Sequence, residues 1–221
     1  MIVVHHLENS RSQRVLWLLE ELGLDYEVRL YKRQPTMQAP DSLRAVHPLG
    51  KSPVITDGDR TLAESGAIIE YLVETYGGGR FVPRPGTPEK LRYSYYLHYA
   101  EGSLMPLLLL KLVFMKIPER VPWPMRPVAR LISNGADRAL IGPQVANHFA
   151  FLEGELADRD WFAGDAFTAA DVQMSFPLEA ADARVGFAGK LPRLKAFVDR
   201  LQARPAYKRA LDKGGPYSML T

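Results

Sequence analysis

The sequence predicts a small α/β domain followed by an all-helical one, on three observations. Strand and helix signals alternate through roughly the first eighty residues. A Gly/Pro cluster, Gly77-Gly78-Gly79 with Pro83-Arg84-Pro85-Gly86-Thr87-Pro88, then breaks the pattern. Beyond it helical periodicity continues and strand alternation does not return. These place the domains at residues 1–80 and 88–221.

Each element has its own warrant. Ile2 to Leu7 reads as a short strand. Val15, Leu16, Leu18, Leu19 and Leu22 then fall on one helical face, which Gly23 ends. Tyr26 to Tyr31 alternates, with Tyr26, Val28 and Leu30 on one side. Lys32 to Pro48 is polar and loop-like, with a short helix near Ser42. Pro53–Thr56 and Arg60–Ala63 bracket Asp57-Gly58-Asp59, a hairpin signal. Ser65 opens a helix carrying Ile68, Ile69, Leu72 and Val73. The order β-α-β-α-β-β-α is that of a thioredoxin-like fold, with a mixed sheet covered by helices. In the second domain, helical patterns run over Glu89–Met115, Val128–Leu156, Ala170–Arg184, Leu191–Ala203 and Ala206–Lys213. The prolines at 118, 122, 124 and 127 are expected to interrupt them. Leu107 to Leu110 with Leu112 and Val113 reads as buried core.

Composition excludes several functions. With 47% hydrophobic and 24% charged residues in 221, the chain can bury a core and is not disordered. A net charge of +3 falls short of a nucleic-acid footprint. There is no cysteine, so neither a disulfide framework nor a protein thiol mechanism is open. The N-terminus has no basic leader or long apolar run, and Leu104–Met115 is about half a membrane span and contains Lys111. The expectation is a cytoplasmic protein that binds neither nucleic acid nor membrane. His5 and His6 are adjacent in a strand and point to opposite faces, so they do not chelate one metal.

Four motifs, in order, span most of the chain: Asn9-Ser10-Arg11-Ser12-Gln13-Arg14-Val15, His47-Pro48-Leu49-Gly50-Lys51-Ser52-Pro53-Val54, Leu62-Ala63-Glu64-Ser65-Gly66-Ala67-Ile68 and Phe167-Thr168-Ala169-Ala170-Asp171-Val172. With these motifs on that element order the chain resembles the cytosolic glutathione S-transferases. The resemblance implies the glutathione transferase fold, glutathione as co-substrate without a metal, and conjugation of its thiol to small hydrophobic electrophiles. It also implies glutathione-dependent peroxidase activity, a detoxifying role and a two-fold homodimer. The alternative is a non-catalytic binding or interaction protein of the same fold.

The resemblance also implies site roles. Ser52 offers backbone groups to the cysteinyl part of glutathione beside a cis Pro53, and Lys51 faces the glycine carboxylate. Glu64 takes the γ-glutamyl ammonium, and Ser65 with the helix N-terminus takes its carboxylate, while Ser65 also reads as an N-cap. Activating the thiol requires a donor after the first strand, where this chain has neither Cys nor Tyr. Ser10 ranks first, Asn9 second through its amide, and backbone N–H groups at the helix start remain open. Ser10-x-x-Gln13 reads equally as a capping box, with Arg11 adding positive potential. Thr168-x-x-Asp171 reads as a capping box with a structural role. The second substrate is expected against Met105, Phe114 and Trp123.

Overall fold

The computed structural model describes residues 1–34, 36, 38–215 and 217. Pro35 and Met37 of the expected loop lie outside the described residues. The N-terminal elements are β1 (Ile2–Leu7), α1 (Gln13–Leu22), β2 (Tyr26–Tyr31), α2 (Asp41–Arg44), β3 (Val54–Asp57), β4 (Arg60–Ala63) and α3 (Ser65–Tyr76). Their sheet order is β2-β1-β3-β4. β1 and β2 pair in parallel from Ile2 opposite Tyr26, and β3 is antiparallel to both β1 and β4.

β1 is central, which explains why nearly every residue in it is buried, His5 and His6 included. β2 is an edge strand. Tyr26 and Val28 pack on the core, but Leu30 is exposed and Tyr31 is the buried residue at its end. The period-2 reading fails there because Tyr31 joins Leu7, Ala39 and Leu43 in a small cluster apart from the main core.

α1 ends as its sequence dictates. Gly23 takes a left-handed φ of 71°, and Gly23 and Leu24 N–H groups return to Glu20 and Leu19 carbonyls at 3.3 and 3.1 Å. Its start differs from the expectation: Ser12 is the N-cap and the Ser10–Gln13 box does not form. The Ser10 hydroxyl instead accepts the Ser12 N–H at 3.3 Å, and both polar atoms of the buried Gln13 amide lack a partner.

Residues 77–87 lead into α4 (Pro88–Tyr99), where Thr87 caps by accepting the Lys90 N–H at 3.2 Å. A π turn over Ala100–Leu104 joins α4 to α5 (Met105–Arg120). Pro118 does not interrupt α5 as expected, because only its last turn follows; the break comes at Val121–Pro122. α6 (Arg126–Ala136) and α7 (Gly142–Glu155) are joined by a second π turn at Asp137–Ile141. α8 (Ala169–Val185), α9 (Pro192–Ala203) and α10 (Pro205–Gly214) complete the helices. Of the leucine run expected as core, Leu107 and Leu108 are buried while Leu109, Leu110 and Val113 are exposed.

One apolar core crosses from the sheet into the helices. Trp17 of α1 is its hinge point, with Phe167 and Tyr207 rings 5.5 and 5.4 Å away. α1 is therefore buried on the sheet side and on the helical side, and its polar residues have to find partners inside the protein.

Candidate active site

A cavity of about 520 Å³ opens where the β1–α1 loop faces α5 and α8. Asn9, Ser10, Arg11, Arg33, Lys51 and Ser52 line one side. Met105, Leu109, Leu112, Phe176 and Arg184 line the other. Among the described residues no carboxylate lines it, so its potential is positive. Met105 sits where the second substrate was expected, but Phe114 lines a separate cavity and Trp123 is 79% exposed. Phe114 is turned toward α6, beside Arg130 and Ser133, and Trp123 lies past the end of α5.

The polar side is organised around three serines. Ser12 Oγ is 2.7 Å from His6 Nδ1, and Ser10 Oγ is 2.7 Å from Ser12 Oγ. Ser10 Oγ lies 3.2 Å from Ser52 Oγ, which donates to the His5 carbonyl at 3.0 Å and accepts the Leu7 N–H at 3.3 Å. These bonds tie the β1–α1 loop to Ser52, two residues before β3. The Ser52–Pro53 peptide is cis. The β1–β3 ladder ends at His5 opposite Val54, which leaves the Ser52 main chain beyond the last paired residue. Burial lowers the His6 pKa, with a hydrogen bond to the Gly214 main chain working the other way. His5 is turned to the opposite face, 2.9 Å from the Tyr31 hydroxyl.

Asn9 holds a left-handed φ of 49°, which asparagine tolerates better than most side-chain-bearing residues, and its buried Oδ1 has no partner. Lys51 is exposed on the cavity rim. Glu64 is exposed with φ 69° and ψ 119°, a sparsely populated conformation costing about 1–3 kcal/mol. Ser65 is not the N-cap of α3; it is the first helical residue, and Glu64 stands in the cap position. Its hydroxyl accepts from Arg14 Nη2 at 2.8 Å and Gln173 Nε2 at 3.4 Å. Glu64 and Ser65 do not line the cavity that holds Ser10 and Lys51.

Arg14 is the link that sequence reasoning missed. It is 2% exposed, donates to the Gln173 carbonyl at 2.6 Å and to Ser65, and pairs with Glu101 in the first π turn. Arg11 reaches the same carboxylate through Nε at 3.0 Å. Burial lowers the Arg14 pKa while Glu101 raises it, and an arginine stays charged throughout. A cation next to Val15 and Leu16 on a buried helix was the available signal; its partners lie 51, 87 and 159 residues away.

Comparison with known proteins agrees with this architecture. The family model described as "Glutathione S-transferase, N-terminal domain" matches residues 1–74, and its C-terminal counterpart matches residues 123–205. Glutathione S-transferase 3 of Schizosaccharomyces pombe is 35% identical across 96% of this chain and 88% of its own length. Glutathione S-transferase 1 of Saccharomyces cerevisiae is 33% identical across 96% and 95%. A crystal structure of a glutathione S-transferase from Actinobacillus pleuropneumoniae superposes with a TM-score of 0.80 at 33% identity, covering 99% of this chain and 95% of that one. Matches to both domain models, and relatives that align almost end to end, establish that this chain belongs to the glutathione S-transferase family.

Proposed function

We propose that this glutathione transferase binds glutathione along the polar side of the cavity and activates its thiol with the Ser10 hydroxyl. The observation that carries the reading is the run of serine hydroxyls that sets Ser10 between Ser12 and Ser52 at the cavity. In the neutral tautomer whose ring proton goes to the Gly214 main chain, His6 Nδ1 is left to accept from Ser12, and Ser52 gives its own proton to the His5 carbonyl. Ser12 and Ser52 then both present a lone pair to Ser10, whose own proton reaches Ser52 Oγ at 3.2 Å, the longer of its two hydroxyl contacts. A thiolate is a charged and therefore stronger acceptor than either hydroxyl. Lowering a thiol pKa by about two units takes about 2.7 kcal/mol, within reach of such a bond and the positive field of Arg11.

Glutathione then lies with its cysteinyl part against the Ser52 main chain, its glycine carboxylate near Lys51, and its γ-glutamyl end at Glu64 and Ser65. Pro53 shapes that edge. Arg14 holds Ser65 from behind and supplies positive charge on the γ-glutamyl side. The apolar wall from α5 and α8 receives a small hydrophobic electrophile, or a hydroperoxide to be reduced, in keeping with cytoplasmic detoxification. The domain division at residues 1–80 and 88–221 follows the same plan, one side of the cavity from each part. Exposed Leu91 and Tyr95 on α4, with Phe151 of α7 at 6.3 Å ring distance from Tyr95, form an apolar face suited to a two-fold homodimer.

Titrating the thiolate absorbance of bound glutathione against pH tests the assignment. Ser10→Ala is expected to raise the thiol pKa and slow conjugation by about a hundredfold, with glutathione affinity changed much less. A larger shift in Asn9→Ala transfers the role to the amide, and no shift in either moves it to backbone N–H groups of the loop.

A further inference from the structure

Arg184 has no place in the scheme above. It stands in the last turn of α8 and lines the active-site cavity on the side that α5 and α8 contribute. A cation suits a helix C-terminus. That accounts for the charge but not for the geometry, because the Nε atom is buried without a hydrogen-bond partner. Among the described residues Arg184 makes no hydrogen bond or ion pair. The charged groups around it are otherwise engaged. Lys111 pairs with Asp137 at 2.7 Å, Asp182 accepts the Phe187 N–H at 2.8 Å, and Arg11 pairs with Glu101 at 3.0 Å.

Apart from Lys111, which is paired with Asp137, the recess beside Arg184 is apolar. A second recess of about 300 Å³, lined by Leu108, Met115, Ala180 and Ala181, shares Leu112 and Arg184 with the main cavity. Met105, Leu109 and Phe176 continue the apolar wall on the side of the main cavity. A guanidinium in such a setting presents a planar fork of donors to whatever fills the space, and a carboxylate matches that fork.

Building on the transferase reading, we propose that Arg184 is a specificity-determining residue for the second substrate, an electrophile with an apolar body and a carboxylate. The apolar body lies on Leu109, Leu112 and Phe176, extending toward the Ala180–Ala181 recess, and the carboxylate bonds the Arg184 guanidinium. Glutathione does not compete for this cation, since its own carboxylates are met by Lys51 and by the Ser65 end of α3. The positive cavity also concentrates anionic electrophiles in preference to neutral ones.

A matched pair of aryl chlorides provides the test: para-chloro-meta-nitrobenzoate and its methyl ester. In both, the thiolate forms a C–S bond at the carbon bearing chlorine, and the C–Cl pair departs as chloride. The quantity measured is the ratio of kcat/KM for the carboxylate to that for the ester, which cancels general damage to the enzyme. Arg184→Met is expected to lower that ratio by about tenfold or more, the loss of a charge-assisted hydrogen bond, mainly through KM. Arg184→Lys is expected to restore part of it. An unchanged ratio in Arg184→Met overturns the subsite, including the case where both activities fall together. If the wild-type protein transfers glutathione to the ester alone, the subsite fails and the transferase reading stands. If it binds no glutathione by calorimetry and consumes neither chloride, both fall.

Discussion

Glu64 is expected to carry the cost of its proposed role in its own backbone. A glutamate at φ 69° is held there by its surroundings, and its exposed carboxylate stands at the start of α3 where an ammonium group would meet it. Glu64→Ala is expected to weaken glutathione binding by about 1.5–3 kcal/mol, the range of a charge-assisted hydrogen bond. Unchanged affinity by calorimetry in a folded variant contradicts the γ-glutamyl assignment. At this scale much was legible before the fold was known. Ser10, Asn9, Lys51 and Ser52 were named from short motifs, and they converge on one cavity. What those motifs did not carry is the hydrogen-bond direction: Ser10-x-x-Gln13 matches a capping box, yet the hydroxyl turns to Ser12 and Ser52. Local spacing made both outcomes equal, and only the arrival of Ser52 from 42 residues away favours one.

The Thr168–Asp171 box shows the opposite case, where a local motif forms as its spacing requires. Asp171 accepts the Thr168 N–H at 2.8 Å, as the box demands, and also the Phe162 N–H at 2.9 Å. Asp171→Ala leaves three buried donors, the Phe162 and Thr168 N–H groups and the Thr168 hydroxyl, without this acceptor and is expected to cost about 2–4 kcal/mol in urea unfolding. Burial pushes the Asp171 carboxyl up to about 6 despite these donors. With its pKa higher folded than unfolded, the unfolded chain loses its proton first as pH rises. The contribution is fully present below about pH 4 and lost as pH climbs through about 6. Relative to Asp171→Asn, which does not titrate, the wild-type protein is expected to gain up to about 3 kcal/mol between pH 7 and pH 4. His5 and His6, whose pKa values burial lowers, destabilise both proteins below about pH 6.5 and cancel in the difference. A relative loss on acidification rules out a buried acid at the start of α8.

For the whole molecule the open consequence is assembly. Leu91 is 75% exposed and Tyr95 49% exposed, apolar area that a soluble monomer has little reason to keep together. Light scattering at micromolar concentration is expected to give twice the mass of the chain. Leu91→Glu combined with Tyr95→Ser is expected to shift it to one chain with helical circular dichroism retained. A monomeric wild-type protein refutes the homodimer. The leucine run of α5 belongs to the same scale. Its residues look alike in sequence, but Leu107 and Leu108 are buried whereas Leu109 takes part in a cavity wall and Leu110 and Val113 face outward.

The amino-acid sequence by itself determined the element order, the turn at Gly23, the cap at Thr168 and the family, because each depends on neighbours within a few residues or on motifs in fixed order. It also named Ser10, Ser52 and Lys51, which line one cavity, and Glu64, which does not line it. Tertiary structure alone decided which polar groups are free. Arg14 had no assigned partner in the sequence; α1 is buried between the sheet and α8, and desolvation there leaves it bonded to Ser65, Glu101 and Gln173. Arg184 was only the end of a helical pattern in the sequence; in the fold α5 packs beside it and its Nε is buried without an acceptor. Periodicity can say which face of a helix is buried, but the partners of a buried charge come from distant segments, and no local pattern encodes them.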